Sequence, residues 1–260
     1  MNVKAKKELG QHFLVDENIL GVIGRLAELD GDDVVLEVGP GLGVLTAYLA
    51  DRAPRVHAVE LDRSLESRLR ETLGARANVE LHFGDALQLD LASLEPAPTK
   101  LVSNLPYNVA TPLIAESLDT LPSIRQWCVM VQREVADRLF APTRTKAYGA
   151  VSVLVQLLTE RTGFHAVSRT VFRPRPNVDS ALVAFRRRGG ELPPEYTRVK
   201  QLVGAAFAHR RKQLPNSIEL AGLATGEGAA KALMTIGREP SVRAEELDPE
   251  EFVALARALP

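Results

Sequence analysis

An α/β fold is what this sequence predicts: a parallel sheet with a ligand site at its strand ends, then a small all-helical domain. Three observations carry that expectation. Short apolar runs of buried-strand type recur through the first half of the chain, separated by stretches of helical spacing. A glycine-rich turn, Gly39-Pro40-Gly41-Leu42-Gly43, lies between the first of these runs and its helix. After Gly189-Gly190-Glu191-Leu192-Pro193-Pro194 the composition shifts and only helical patterns follow. The domains are therefore expected at 1–188, including a basic N-terminal arm over 1–15, and at 189–260.

The 260 residues suffice for one sizeable domain and a smaller appendage. No apolar run approaches a membrane span, and the basic start (Lys4, Lys6, Lys7) is not followed by a signal-peptide core. The single cysteine, Cys128, excludes an internal disulfide framework and a cysteine-based zinc cage, and it fits a reducing, cytoplasmic setting. A formal net charge of -1 argues against indiscriminate polyanion binding, but placement says more than the sum. Besides the N-terminal lysines, basic residues gather at Arg169, Arg173 and Arg175, at Arg186-Arg187-Arg188, and at His209-Arg210-Arg211-Lys212. Acidic residues concentrate in 60–95 and 239–251, which leaves room for a basic face.

Taken in order, residues 16–29 carry Ile19, Leu20, Ile23, Leu26 and Ala27 at helical spacing behind a candidate N-cap, Asp16. The run 33–38 reads as a buried strand, the glycine turn follows, and 44–50 reads as the helix it opens. That is the frame of a nucleotide-type site at the carboxyl end of a parallel sheet. The dinucleotide fingerprint would need glycine at position 44, where Val44 stands, and no Walker Gly-Lys-Ser/Thr follows the turn. Glu37, just ahead of the glycines, suits a cationic ligand better than a pyrophosphate. A sulfonium-bearing, amino-acid-tailed adenosine is such a ligand.

A second strand over 55–59 ends in Glu60-Leu61-Asp62, where a carboxylate can accept both ribose hydroxyls. After a helix over 64–73, the strand 79–83 ends in Gly84-Asp85-Ala86, and Asp85 can accept from an adenine amino group. The fourth run, 100–103, leads into Asn104-Leu105-Pro106-Tyr107. Asn104 offers an acceptor on a short arm, Pro106 removes a donor, and Tyr107 adds a flat ring. Carbonyls beside an aromatic face suit an exocyclic amine on a planar base; the plainer reading is a proline turn after a buried strand.

Further helices are expected at 111–118 and 133–140, strands at 126–131, 161–167 and 180–186, and an apolar segment at 150–158. The loop Phe172-Arg173-Pro174-Arg175-Pro176-Asn177-Val178-Asp179-Ser180 is stiffened by its prolines. Phe172 at its rim reads either as core or as a second stacking face opposite Tyr107. Helices are expected at 195–208, 211–221, 227–235 and 248–258. No metal-ligand set is read from the spacing, and no covalent nucleophile is needed.

These residues together resemble the KsgA-type family of small-subunit ribosomal RNA adenine N6,N6-dimethyltransferases. The resemblance rests on Gly10-Gln11-His12-Phe13-Leu14, Glu37 to Gly43, Glu60-Leu61-Asp62, Asp85-Ala86 and Asn104-Leu105-Pro106-Tyr107-Asn108. It extends to the 172–180 loop and to Phe207-Ala208-His209-Arg210-Arg211-Lys212-Gln213-Leu214. The Asn-Leu-Pro-Tyr and Phe-x-Pro-x-Pro-x-Val segments are its most specific parts; His12 departs from the asparagine common in the family. The resemblance implies a Rossmann-like class I methyltransferase sheet with an antiparallel last strand, and a helical C-terminal domain contributing to RNA binding. It implies S-adenosyl-L-methionine as cofactor, held by His12, Leu14, Gly39, Glu60, Asp85 and Asn104, with Glu37, Gly41 and Ala86 from the same motifs. The implied substrate is a pair of adjacent adenosines in a hairpin near the 3′ end of 16S rRNA, in the small subunit or its precursor. Asn104, Leu105, Pro106, Tyr107 and Phe172 would handle the base, in a cytoplasmic, monomeric enzyme. Methylation of 23S rRNA, and a binding factor without turnover, are the rival readings.

Overall fold

A computed structural model describes residues 5–6, 9–189 and 192–260. Lys4 and Lys7 of the basic arm, and Gly190 and Glu191 of the expected linker, lie outside the described residues. The chain divides into two compact units: Met1–Ala136 with Glu160–Arg187, and Asp137–Thr159 with Arg188–Pro260. This differs from a single cut at 188/189, because the segment 137–159 belongs with the second unit. Its apolar run gives no sign of the domain to which it attaches.

The first unit is built on strands β2 (Val34–Val38), β3 (Arg55–Glu60), β4 (Val79–Phe83), β5 (Lys100–Asn104), β6 (Gln126–Gln132), β7 (Thr159–Val167) and β9 (Ser180–Arg187). They form one seven-stranded sheet in the order β4-β3-β2-β5-β6-β9-β7. The run from β4 to β6 is parallel, and β9 pairs antiparallel with β6. All five residues of β2 are buried, as expected of a parallel strand covered on both faces. Helices α1 (Glu17–Ala27), α2 (Val44–Ala50), α3 (Glu66–Leu73) and α4 (Ala110–Thr120) supply the connections and cover. Strand order reverses between β2 and β5, so the crevice at their carboxyl ends is a topological switch point, the usual ligand site of such sheets.

Helix α1 begins where Asp16 accepts from the Asn18 amide, and it buries Ile19, Leu20, Ile23 and Ala27. Lys100, at the start of β5, donates to the carbonyls of Ala27 and Glu28 at the other end of that helix. It also pairs with the fully buried Asp33 at 2.7 Å. A cation there satisfies carbonyls left over at a helix end and complements its dipole. Removing Asp33 would strand the Lys100 charge. Asp33→Ala is therefore expected to cost about 3–5 kcal/mol, read from urea unfolding; a loss below about 1 kcal/mol would show the pair to be dispensable.

One small element has no counterpart in the sequence pattern. Strand β1 (Phe13–Leu14) pairs antiparallel with β8 (Phe172–Arg173), placing Leu14 opposite Phe172. Two residues per strand are too few for periodicity to register. The pairing carries the N-terminal segment to the carboxyl edge of the large sheet.

Helix α5 (Arg133–Leu139) carries the chain across the boundary at 136/137. The second unit holds α6 (Ala150–Leu158), α7 (Tyr196–Ala208), α8 (Leu214–Leu220), α9 (Gly226–Thr235) and α10 (Pro249–Ala258). Its core includes the fully buried Tyr148, whose hydroxyl donates to the Leu247 carbonyl and whose ring meets Phe207 edge-on. Asp248 and Glu251 form a capping box at the start of α10, and Arg238 grips Glu251 with two hydrogen bonds. Among the described residues no helix is long and apolar enough to cross a membrane.

Candidate active site

Every site residue singled out from the sequence except Phe172 lines one open cleft, at the carboxyl ends of β2, β3, β4 and β5. The parallel register accounts for the convergence: Val38 lies beside Val59, Glu60 beside Phe83, and Leu36 beside Leu101. Residues far apart in sequence therefore leave the sheet along one edge.

The glycine turn brings backbone close to that edge. Gly39 has φ +78, and a Cβ there would lie 2.9 Å from Pro106 Cγ. The turn and the 104–107 loop thus touch, and only glycine permits it. Gly41 (φ +58) packs its bare Cα against the Phe13 ring and donates its amide to Glu60 Oε2 at 3.0 Å. Glu60 Oε1 accepts from the Asp62 amide at 2.8 Å, so the carboxylate is oriented by backbone on both oxygens. Its pKa is raised, by burial first, while those amides oppose the shift. Each oxygen keeps a lone pair for a ligand hydroxyl.

Glu37 is the least comfortable group in the cleft. It is fully buried, and its Oε2 has no hydrogen-bond partner. Burial pushes its pKa up to about 8; the Thr46 hydroxyl, nearby but outside hydrogen-bond geometry, opposes the shift, and the Glu60 charge adds to it. A buried, unpaired carboxyl oxygen in a ligand-sized cleft calls for a donor or a positive charge from the ligand. Asp85 spends Oδ1 on the Leu87 amide at 3.0 Å, and its neighbour Ala86 completes that wall.

Asn104 ends β5. Its Nδ2 donates to the His12 carbonyl at 3.2 Å, which leaves Oδ1 as the free acceptor. The Leu105 amide donates to the Met130 carbonyl, and the Leu105 side chain is buried. The Pro106 carbonyl is already claimed by the amides of Val109 and Ala110 where α4 starts. Tyr107 is half-buried; its hydroxyl meets Ser180 Oγ at 2.8 Å, and its ring lies 5.5 Å from that of His12. The His12 ring itself is held by the Pro174 carbonyl at 2.7 Å. His12 thus reaches Asn104 through its backbone and Tyr107 through its ring.

Phe172 corrects the stacking alternative. It is 2% exposed and packs in the core with Leu14, Val171 and Ile19. It stands opposite Leu14 in the β1–β8 pairing but is not among the residues that line the cleft.

Sequence reasoning missed the clasp that holds the N-terminal segment. Asp62 accepts from Lys6 Nζ at 2.6 Å, Gln11 Nε2 at 3.0 Å and Ser64 Oγ at 2.6 Å. Burial alone would raise the Asp62 pKa, but those hydrogen bonds hold it well below the usual carboxylate range. Gln11 and Asp62 both stand inside the family motifs, so a signal exists in the sequence; the partnership between them is not visible there.

The basic clusters divide. Arg187 donates to the Leu118 and Ile124 carbonyls and lies over Trp127, so it serves the core. Arg186 pairs with Glu160, and Arg188 donates to the Thr159 carbonyl. Arg210 is tied to Glu245 and to the Lys146 carbonyl, whereas Arg211 and Lys212 are exposed. Arg173 and Arg175 are exposed as well.

Comparison with known proteins agrees with this geometry. A family model described as ribosomal RNA adenine dimethylase matches residues 2–259. A ribosomal RNA small subunit methyltransferase A from Rubrobacter xylanophilus is 49% identical over 256 residues, covering 98% of this chain and 95% of that one. Its counterpart in Kineococcus radiotolerans is 45% identical over 270 residues, covering 100% and 88%. Among solved structures, the 23S rRNA methyltransferase ErmE aligns with a TM-score of 0.67 at 30% identity, covering 95% of this chain and 99% of that one. A dimethyladenosine transferase from Plasmodium falciparum aligns with a TM-score of 0.77, covering 94% and 96%; at 23% identity that likeness speaks for the fold alone. The sheet is that of a class I methyltransferase, and a match spanning almost every residue leaves one conclusion: the chain belongs to the ribosomal RNA adenine dimethylase family.

Proposed function

We propose that this chain transfers methyl groups from S-adenosyl-L-methionine to N6 of two adjacent adenosines near the 3′ end of 16S rRNA, dimethylating each in the assembling small subunit. The observation that carries this reading is the pair of oxygens at the cleft edge. Asn104 and Leu105 are consecutive residues that both line the cleft with Glu37, and the bond from Asn104 Nδ2 to the His12 carbonyl leaves Asn104 Oδ1 unclaimed. Since helix amides claim the Pro106 carbonyl, Leu105 is favoured as the second acceptor.

Glu37, Gly39, Gly41, Glu60, Asp85, Ala86, His12 and Leu14 are the residues that would hold the cofactor. The unpartnered Glu37 oxygen fits its positive charge, and the oriented Glu60 fits its ribose. When bound, the cofactor supplies a methyl group on a positively charged sulfur. An adenine N6 lone pair is delocalised into the ring and attacks poorly while flat. Asn104 Oδ1 and the Leu105 carbonyl would accept both N6 hydrogens, favour a pyramidal nitrogen and spread the positive charge that develops during transfer. That is stabilisation of the transition state rather than of the bound base. Tyr107, its hydroxyl held by Ser180, offers a fixed ring on which the extruded base can stack, worth about 1–3 kcal/mol. Positioning supplies much of the remaining rate.

The small-subunit names of the 41–49% identical relatives favour 16S rRNA; the likeness to ErmE keeps 23S rRNA as the comparison to run. We take the enzyme as monomeric, and as cytoplasmic in keeping with its one cysteine, the buried free thiol of Cys128. Mapping dimethylated adenosines in both rRNAs, with and without the protein, tests the reading. Paired marks in 16S rRNA alone are expected; marks confined to 23S rRNA would overturn it.

The helical domain would contribute to RNA binding through its exposed cations. Replacing Arg211 and Lys212 by alanine is expected to reduce the slope of log K against log salt by about one to two. An unchanged slope would remove this patch from the footprint. Arg210 is left out because its side chain serves the fold.

A further inference from the structure

The structure assigns a second ligand site to this chain: His57, Glu80 and His82 form a three-ligand centre for a divalent transition ion of the zinc class. The three side chains share one face of β3 and β4. His57 stands directly opposite Glu80 in the register, and His82 follows two residues later on the same strand. Their ligand atoms all lie within 4.8 Å of one another. None of them lines the cleft described above, so the centre is independent of methyl transfer.

The spacing suits a metal as well as it suits a hydrogen bond between the two rings. His57 Nδ1 and His82 Nε2 are 3.2 Å apart. Two nitrogens bound to zinc at tetrahedral angles lie about 3.4 Å apart, given zinc–nitrogen bonds of about 2.0–2.1 Å. Glu80 oxygens stand 3.6 Å from the first nitrogen and 3.9 Å from the second, within a small inward movement of the same sphere. The far nitrogen of His57 meets the Pro96 carbonyl at 3.0 Å. That bond places the proton on Nε2 and leaves Nδ1 as a lone pair facing the other two groups. A backbone carbonyl fixing the tautomer of a ligating histidine is the usual support of such sites.

The charges point the same way. The Glu80 carboxylate faces both imidazoles. Arg55 meets Glu80 at 3.5 Å, on one oxygen. Two imidazoles and a carboxylate are a donor set for zinc, nickel or copper rather than for magnesium or calcium. Glu80 and His82 are 44% and 24% exposed, which gives the ion a path in and leaves its remaining position to water. Bound there, the ion would clip the edge strand β4 to β3, the two strands whose carboxyl ends present Asp85 and Glu60.

The test uses the full-length protein without a histidine tag, and Zn²⁺ in competition with a chromophoric chelator. One equivalent is expected to bind. His82→Ala and Glu80→Gln should each lower the affinity by at least about tenfold. His165→Ala, outside the cluster, should leave it unchanged. Co²⁺ should give visible bands of a four-coordinate site in the wild type and lose them in His82→Ala. Because Glu80 and His82 are partly exposed, both variants are expected to fold, which circular dichroism checks; buried His57 is left intact. Absence of stoichiometric Zn²⁺ binding by the wild type, or equal affinity in the two ligand variants, would overturn the assignment.

Discussion

Replacing Asn104 by alanine is expected to lower methyl transfer by about a thousandfold or more, while S-adenosyl-L-methionine still binds to within about tenfold of wild type. The asymmetry follows from where the atoms sit. Asn104 Oδ1 is left unclaimed at the end of β5, whereas Glu37, Glu60 and Asp85 come from β2, β3 and the turn after β4. In the proposed mechanism, loss of Oδ1 removes an interaction that strengthens as charge builds on N6, so kcat should fall more than any binding constant. The variant also loses the bond to the His12 carbonyl, which accounts for the modest weakening of cofactor binding. Single-turnover transfer and equilibrium cofactor titration separate the two effects. Turnover near the wild-type rate would refute the role given to the amide.

Glu37→Gln should act in two opposite directions. In the ligand-free protein the Glu37 carboxyl has its pKa near 8, against an ordinary 4.5. The folded state then holds a proton that the unfolded state has released, so this group's contribution to stability is full below about pH 4.5 and declines as pH rises towards 8. Glutamine carries no charge to bury, so the variant should be the more stable protein at pH 8, by an amount of the order of a few kcal/mol, and close to wild type near pH 5. Cofactor binding should move the other way. A positive ligand favours the ionised carboxyl, so wild-type affinity should climb between about pH 5 and pH 8, and glutamine should flatten that rise. Thermal unfolding and cofactor titration across this range read both effects. A variant less stable than wild type at pH 8 would mean that Glu37 is satisfied rather than strained.

The two expectations share a cause in the sheet. β2 and β5 are neighbours with opposite onward connections, so a crevice opens at their carboxyl ends, and the two loops that border it meet where Gly39 touches Pro106. The glycine turn allows close approach, and the proline-bearing loop exposes acceptors without donors. The clasp of Lys6 and Gln11 on Asp62 holds the N-terminal segment beside both.

Much of this architecture is legible in the amino-acid sequence. Period and composition locate the strands from 34 to 132 and the helices beyond 195 to within a few residues, because long buried runs and helical stripes are local patterns. The strand ends marked by Glu37, Glu60, Asp85 and Asn104 are legible for the same reason: a carboxylate or amide at the close of an apolar run is a local event. Tertiary contact alone decides the rest. Whether Phe172 faces a base or the core depends on a two-residue pairing with Leu14, some 158 positions away in the chain. The attachment of 137–159 to the helical unit, the Asp62 clasp, and the meeting of His57 with Glu80 and His82 likewise depend on neighbours that sequence spacing does not record. Local pattern fixes what a segment becomes; only packing determines which distant side chain completes its hydrogen bonds, its charge or its ligand sphere.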